Sequence, residues 1–191
     1  MKVVRTRLEG VVLIEPRAFP DERGFFMETW NRARYAEAGV DAAFVQDNLS
    51  FSRRHVLRGL HFQNPVAQGK LVCVLQGAVW DVAVDLRRGS PTFAEWEGFL
   101  LSAENRRQLY VPEGFAHGFV VTADTALFSY KCTAPYSAPH ERSLRWNDPE
   151  VGVAWPVQAP VLSAKDAAAP LLRELPEAVL FGAAEAEAVR G

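Results

Sequence analysis

Lys70-Leu-Val-Cys-Val-Leu-Gln76 and Ala78-Val-Trp-Asp-Val-Ala-Val-Asp-Leu86 are separated by Gly77 alone, and both runs alternate with a period of two. In the first, Leu71, Cys73 and Leu75 share a face; in the second, Val79, Asp81, Ala83 and Asp85 do. Gln76-Gly77 between them predicts a hairpin turn. Similar strand-like pieces occupy Val3–Leu8, Phe25–Trp30, Phe93–Leu101, Arg107–Val111, Gly118–Val121 and Ala126–Cys132. Gly, Pro, Asn and Asp punctuate them, as in Arg88-Gly-Ser-Pro91 and Val111-Pro-Glu-Gly114. Two helical pieces are predicted, near Asn31–Glu37 and Leu171–Ala178. Many short strands with few helices indicate an all-β sandwich or barrel.

The 191 residues carry no repeat, low-complexity linker or composition shift, so one domain over residues 1–191 is expected, with a frayed Ala/Glu-rich tail after about 181. Hydrophobic residues make up 49% and charged residues 23%, which suits a soluble domain with a sizeable core. A net charge of −2 argues against a surface built for nucleic acid. The longest apolar stretch, Leu71 to Leu86, is broken by Gln76, Asp81 and Asp85, so no membrane span is expected. Arg5, Arg7 and Glu9 stand where a secretory leader would need apolar residues, and the expected location is the cytoplasm. Cys73 and Cys132 cannot make a disulfide framework or a zinc site, and read as small buried hydrophobes.

Chemistry concentrates in Val56-Leu-Arg-Gly-Leu-His-Phe-Gln63. A strand histidine facing an interior can ligate a metal, act as a base, or be a hydrogen-bonded core residue. Metal-binding β-barrels of this kind present His-x-His; here His61-Phe62 is followed by Gln63, and His55, His117 and His140 are scattered. A metal site needs three or four convergent ligands, so none is expected.

His61 does not stand alone. Asp21-x-Arg23-Gly24-x-Phe26-x-Glu28, Gln46-Asp-Asn48-x-Ser50, Leu57-Arg-Gly-Leu-His61, Gly69-Lys70, Val111-Pro-x-Gly-Phe-Ala-His-Gly118, Tyr130-Lys131 and Arg145-Trp-Asn-Asp-Pro149 occur in this order. The ordered set, from about Val11 to Asp166, resembles the dTDP-4-dehydrorhamnose 3,5-epimerase family. The resemblance implies a jelly-roll (cupin-like) β-barrel with a few short peripheral helices. It also implies a homodimer, no cofactor, and dTDP-4-dehydro-6-deoxy-D-glucose as substrate. The expected activity is epimerisation at C3 and C5 in dTDP-L-rhamnose biosynthesis.

The same resemblance assigns roles. His61 corresponds to the base, Asp166 to the carboxylate that orients it, Tyr130 to the acid, and Lys70 to a cation near the C4 oxygen. Substrate binding falls to Arg23, Phe26, Glu28, Gln46, Asp47, Asn48, Arg58, His117, Tyr136, Glu141 and Lys165, together with Lys70. Arg23 and Glu28 lie on an early strand that, in such dimers, reaches into the partner's site. Arginine suits a diphosphate because its planar fork gives paired hydrogen bonds. Before Tyr136, Ala134 and Pro135 depart from the family's more usual acidic and aromatic residues.

Three readings stand beside these. Ser163-x-x-Asp166 also fits a helix capping box, although Pro170 would place a helix start nearer Ala169. Strict alternation puts Arg58 and His61 on opposite faces, and a bulge at Gly59 would reconcile them. Asp81 and Asp85 share a face, where pairing with an interior Lys or Arg is expected. A 3-only or 5-only epimerase of an antibiotic-sugar pathway and a non-catalytic sugar-nucleotide-binding cupin are the alternative functions.

Overall fold

The structure is a computed structural model and describes residues 1–182; the tail expected to fray lies outside them from residue 183 onward. Eleven strands carry the fold: β1 (Lys2–Arg5), β2 (Val12–Glu15), β3 (Ala18–Asp21), β4 (Gly24–Met27), β5 (Gln46–Arg53), β6 (Leu57–Gln63), β7 (Lys70–Asp85), β8 (Trp96–Ser102), β9 (Gln108–Val111), β10 (Phe115–Cys132) and β11 (Glu141–Ser143). Two short helices, α1 (Arg32–Glu37) and α2 (Ala164–Ala167), lie outside the sheet. The main sheet runs β1-β2-β9-β7-β10-β6-β11, with β5 added to β10 and β8 to β7; among the described residues, β3 and β4 pair only with each other. The path starts at β1 and ends at β11, so the architecture is an all-β jelly roll whose sheet does not close into a barrel.

Two strands organise everything. The first half of β7 pairs with β9, its second half with β8, and both halves pair with β10. β10 likewise takes β6 along its first half and β5 along its second. Both halves send side chains into one cluster, including Val72, Val74, Val79, Ala83, Leu101, Leu109, Phe119, Val121 and Phe128.

The hairpin expected at Gln76-Gly77 is absent: the two decisive runs form one 16-residue strand. The pairing with β10 shifts between Leu127 and Phe128, where Leu75 is the extra residue, and again between Val121 and Ala126. Gly77 serves this kink rather than a turn: its φ is +76°, and an added Cβ would lie 1.9 Å from the Thr125 carbonyl oxygen. The shift flips the strand's parity, so Lys70, Val72 and Val74 share a face with Val79, Asp81 and Ala83.

Gly118–Val121 and Ala126–Cys132 are likewise parts of one 18-residue strand. The Asn31–Glu37 helix is present, with the Asn31 side chain accepting from the Arg34 N–H at 3.2 Å. Leu171–Ala178 is not an α-helix. It makes two single 3₁₀ turns, Leu172–Glu174 and Glu177–Val179, because Pro176 between them has no N–H to continue the ladder. Strand β5 was not anticipated. Its polar Gln46, Asn48 and Ser50 line clefts in the interior while Leu49 and Phe51 are 62% and 56% exposed, the inverse of the usual pattern.

The interior aspartates have separate partners. Asp85 pairs with Arg87 as expected, with Nη2–Oδ2 at 2.7 Å and both side chains buried. Asp81 pairs with a histidine instead of Lys or Arg: His117 Nε2 lies 2.9 and 3.0 Å from its two oxygens.

Candidate active site

Two adjoining clefts of about 280 Å³ each share His61, Lys70 and Tyr130. Arg58, His117, Phe119, Phe128, Lys165 and Asp166 line the first. Gln46, Asn48, Gln68, Tyr136 and Glu141 line the second. The side chains come from β5, β6, β7, β10, β11, the α2 segment and, for Gln68 and Tyr136, the connecting loops, so the site brings together residues from Gln46 to Asp166.

Local irregularities aim these residues. On β6, Arg58 pairs with Phe119 and His61 with His117, so three steps on β6 match two on β10. This is the bulge that reconciles Arg58 with His61, and both line the same cleft. Gly59 has φ +123°, and a Cβ there would lie 2.6 Å from the Gly118 Cα, while one on Gly118 would lie 2.7 Å from the Arg58 carbonyl oxygen. Two glycines face each other because the strands approach too closely for side chains.

His61 Nε2 is 2.6 Å from Asp166 Oδ1. Asp166 is 3% exposed, and the Ser163 hydroxyl caps its helix by accepting the Asp166 N–H at 3.1 Å. Ser163 is thus an N-cap without a full capping box: the backbone of Asp166 serves the cap, and its carboxylate serves His61 instead of returning to the Ser163 N–H. Pro170 follows this helix rather than starting one. Burial acts to raise the Asp166 pKa, but the hydrogen bond and charge of His61, with help from Ser163, outweigh it and hold the group below the usual carboxylate range.

In the wall of the first cleft, Phe119 and Phe128 stack with centroids 4.1 Å apart at 20°, worth about 0.5–1.5 kcal/mol beyond the area they bury. Tyr130 follows Phe128 on the same face, and burial raises its phenol above the ordinary value, so it is protonated at neutral pH. Burial pushes the Lys70 ammonium below its ordinary pKa, against the pull of Cys132, Asp81 and Glu141. Asp81, fully buried, is raised by that burial, with His117 and Lys70 opposing.

At the second cleft, Lys165 Nζ pairs with Glu141 at 2.5 Å, and the Tyr136 hydroxyl donates to Glu141 at 2.9 Å. Burial tends to raise Glu141, but Lys165 and Tyr136 together lower it. The Tyr136 N–H donates to Gln46, and Gln46 to Asn48, each within 2.9 Å.

Four expected residues lie elsewhere. Arg23 sits in the β3–β4 turn paired with Asp21, Phe26 is 73% exposed on β4, and Glu28 pairs with Arg34. Asp47 points away on β5, 67% exposed and 3.0 Å from Lys131 Nζ, because alternation inverts it relative to Gln46 and Asn48. Ser50, Gln68, Phe119 and Phe128 line the clefts without having been given a site role, and so does Ser163, read only as a cap. The alternation 46, 48, 50 would have found Ser50; the others carry no local signal. Among the described residues, no group of three or more His, Cys, Asp or Glu side chains is placed to hold a metal ion, and no helix is long and apolar enough to cross a membrane.

The family model described as dTDP-4-dehydrorhamnose 3,5-epimerase matches residues 5–174. The Pseudomonas aeruginosa dTDP-4-dehydrorhamnose 3,5-epimerase is 56% identical over 168 residues, covering 87% of this chain and 93% of the relative. The enzyme of the same name from Salmonella typhimurium is 55% identical over 175 residues, covering 90% and 96%. A crystal structure of dTDP-6-deoxy-D-glucose-3,5-epimerase from Legionella pneumophila, in complex with dTDP-4-keto-L-rhamnose, superposes with a TM-score of 0.92. That structure shares 48% identity and covers 95% of this chain and 97% of its own. By sequence along residues 5–174 and by fold over nearly its whole length, this chain belongs to the dTDP-4-dehydrorhamnose 3,5-epimerase family.

Proposed function

We propose that this chain is a cytoplasmic, homodimeric, cofactor-free isomerase that inverts dTDP-4-dehydro-6-deoxy-D-glucose at C3 and C5, giving dTDP-4-dehydro-L-rhamnose. The observation that carries the reading is the His61–Asp166 contact of 2.6 Å in clefts shared with Tyr130 and Lys70.

The chemistry follows from the ketone. A carbonyl at C4 acidifies the hydrogens on C3 and C5, because each carbanion delocalises onto the carbonyl oxygen as an enolate. Inversion takes a proton from one face and returns one to the other, so a base and a separate acid are needed, with a cation at the oxygen. The ionised Asp166 accepts from His61 Nε2–H, which leaves Nδ1 with the free lone pair. His61 removes the proton, Lys70 stabilises the enolate oxygen, and the protonated Tyr130 delivers the second proton. Asp81 holds His117 in one orientation beside Lys70. Arg58 meets the diphosphate, with Gln46, Asn48 and the Tyr136–Glu141–Lys165 chain around the rest of the substrate.

Proton NMR of dTDP-4-dehydro-6-deoxy-D-glucose with the enzyme in heavy water tests this directly. Deuterium is expected at both C3 and C5, with product forming. Exchange at one carbon alone would replace the double epimerase with a single one, and exchange at neither would leave a binding protein.

The exposed β3–β4 hairpin supports the shared-site part of the reading, since Arg23, Phe26 and Glu28 are presented away from their own clefts. Mixing Arg23→Ala and His61→Ala subunits is expected to recover part of the activity, because one site in each hybrid keeps both residues. Hybrids shown to form but without activity would contradict a site shared between subunits.

A further inference from the structure

The motif Arg145-Trp-Asn-Asp-Pro149 lines neither cleft, yet its two charged residues, Arg145 and Asp148, reach the segment that follows α2. Asp148 is 2% exposed. Its Oδ1 accepts the N–H groups of Glu150 and Val151 at 2.8 and 3.1 Å, closing its own turn. Its Oδ2 accepts the Leu172 N–H at 2.6 Å, across 24 residues. Arg145 donates through Nε to the Ala169 carbonyl at 2.8 Å, and its backbone N–H donates to the Pro170 carbonyl at 2.8 Å. Residues 169–172 are thus gripped on consecutive peptides.

α2 has four residues, too few to hold a helix by its own ladder. Its orientation comes from its contact with β6 and from what flanks it, and one flank is this grip. The other end of the grip is tied to the catalytic strand. Arg145 follows Ser143 and Leu144; Ser143 pairs with His61, and Leu144 exchanges both backbone hydrogen bonds with Leu60 at 2.9 and 3.2 Å. The connections close a ring from His61 through β6, β11, Arg145 and Asp148 to residues 169–172, then α2 and Asp166, and back to His61. The ring ties the two halves of the dyad, 105 residues apart, to one frame from the far side of α2, while the Leu57 N–H to Val161 carbonyl bond at 3.0 Å ties the near side.

We infer that Arg145 and Asp148 are positioning residues that clamp residues 169–172 and thereby hold Asp166 against His61. The inference rests on the proposed epimerase chemistry. A misplacement of about 1 Å at a catalytic group can cost on the order of 10²-fold, so a loosened clamp should show in turnover.

The test is a double-mutant cycle read by NMR epimerisation rates, on proteins whose circular dichroism matches wild type. Asp148→Asn keeps the shape but gives up one acceptor, and is expected to lower kcat about tenfold. Arg145→Leu leaves the Asp148 turn intact and serves where Asp148→Asn does not fold; a similar loss is expected. In an Asp166→Ala background, either change should cost less than about twofold, since the group being positioned is gone. Equal fold losses in both backgrounds, or no loss in the first, would overturn the clamp. An inactive wild type would instead overturn the epimerase reading.

Discussion

His61→Ala is expected to stop both exchange of the substrate's C3 and C5 hydrogens and formation of product. General acid–base groups typically contribute about 10²–10⁴-fold, so the loss should be plain in an ordinary turnover assay. The reason lies in the order of events: no enolate forms until a proton leaves carbon, so every later step starves. The substitution also leaves Asp166, 3% exposed and held below the usual carboxylate range largely by His61, without that partner. Circular dichroism is expected to stay native-like, because Asp166 keeps its Ser163 cap and His61 belongs to the cleft wall rather than the apolar core. A folded His61→Ala protein that still exchanged either hydrogen at the wild-type rate would remove His61 as the base.

The largest expected effect on stability lies away from the site. The Asp85 carboxylate accepts from Arg87 Nε and Nη2, from the Arg87 N–H, and from the hydroxyls of Ser90 and Thr92, all within 2.9 Å. Arg87 is 1% exposed and lies over the Phe115 ring at 4.4 Å. Asp85→Ala would strand that guanidinium, and removing one partner of a buried ion pair costs about 3–5 kcal/mol. At roughly 2–4 °C per kcal/mol for a chain of this size, the melting temperature should fall by roughly 10 °C. Replacing both, as in Asp85→Leu with Arg87→Met, should recover much of the loss, because no charge is then left buried. The wild-type pair also carries a pH signature. Burial tends to raise the Asp85 pKa, but its hydrogen bonds lower it overall. The stabilisation is therefore present above the unfolded aspartate value, about 3.9, and is lost as pH falls through the lower folded value. A melting temperature moved by less than about 2 °C in Asp85→Ala would contradict this role for the pair.

The all-β class was legible because alternation is a local signal, and β7 and β10 display it over most of their length. The parity switches were not. Whether Lys70 and Asp81 share a face depends on the extra residue at Leu75 against β10, and Gln76-Gly77 reads equally well as a turn until its partner strand is known. Gly59 was different. The need to bring Arg58 and His61 together, with a glycine between them, predicted a bulge that the pairing with His117 and Phe119 contains. β5 escaped because its buried face is polar, inverting the rule by which half-buried strands are recognised. Asp81 escaped because its partner, His117, lies 36 residues away on a neighbouring strand. Arg145 and Asp148 could be quoted as a motif without a role, since their work is done on peptides more than 20 residues downstream.

Base and acid are separated most directly by following deuterium in Tyr130→Phe. The substitution keeps the ring that packs near Phe128 and removes only the phenolic proton. If His61 takes the proton and Tyr130 returns one on the other face, the enolate still forms in this variant. It is then reprotonated from the His61 side with its starting configuration. Proton NMR in heavy water should therefore show deuterium entering unreacted dTDP-4-dehydro-6-deoxy-D-glucose while little epimer accumulates. A folded Tyr130→Phe protein that epimerised at the wild-type rate would contradict the assignment of Tyr130 as the acid.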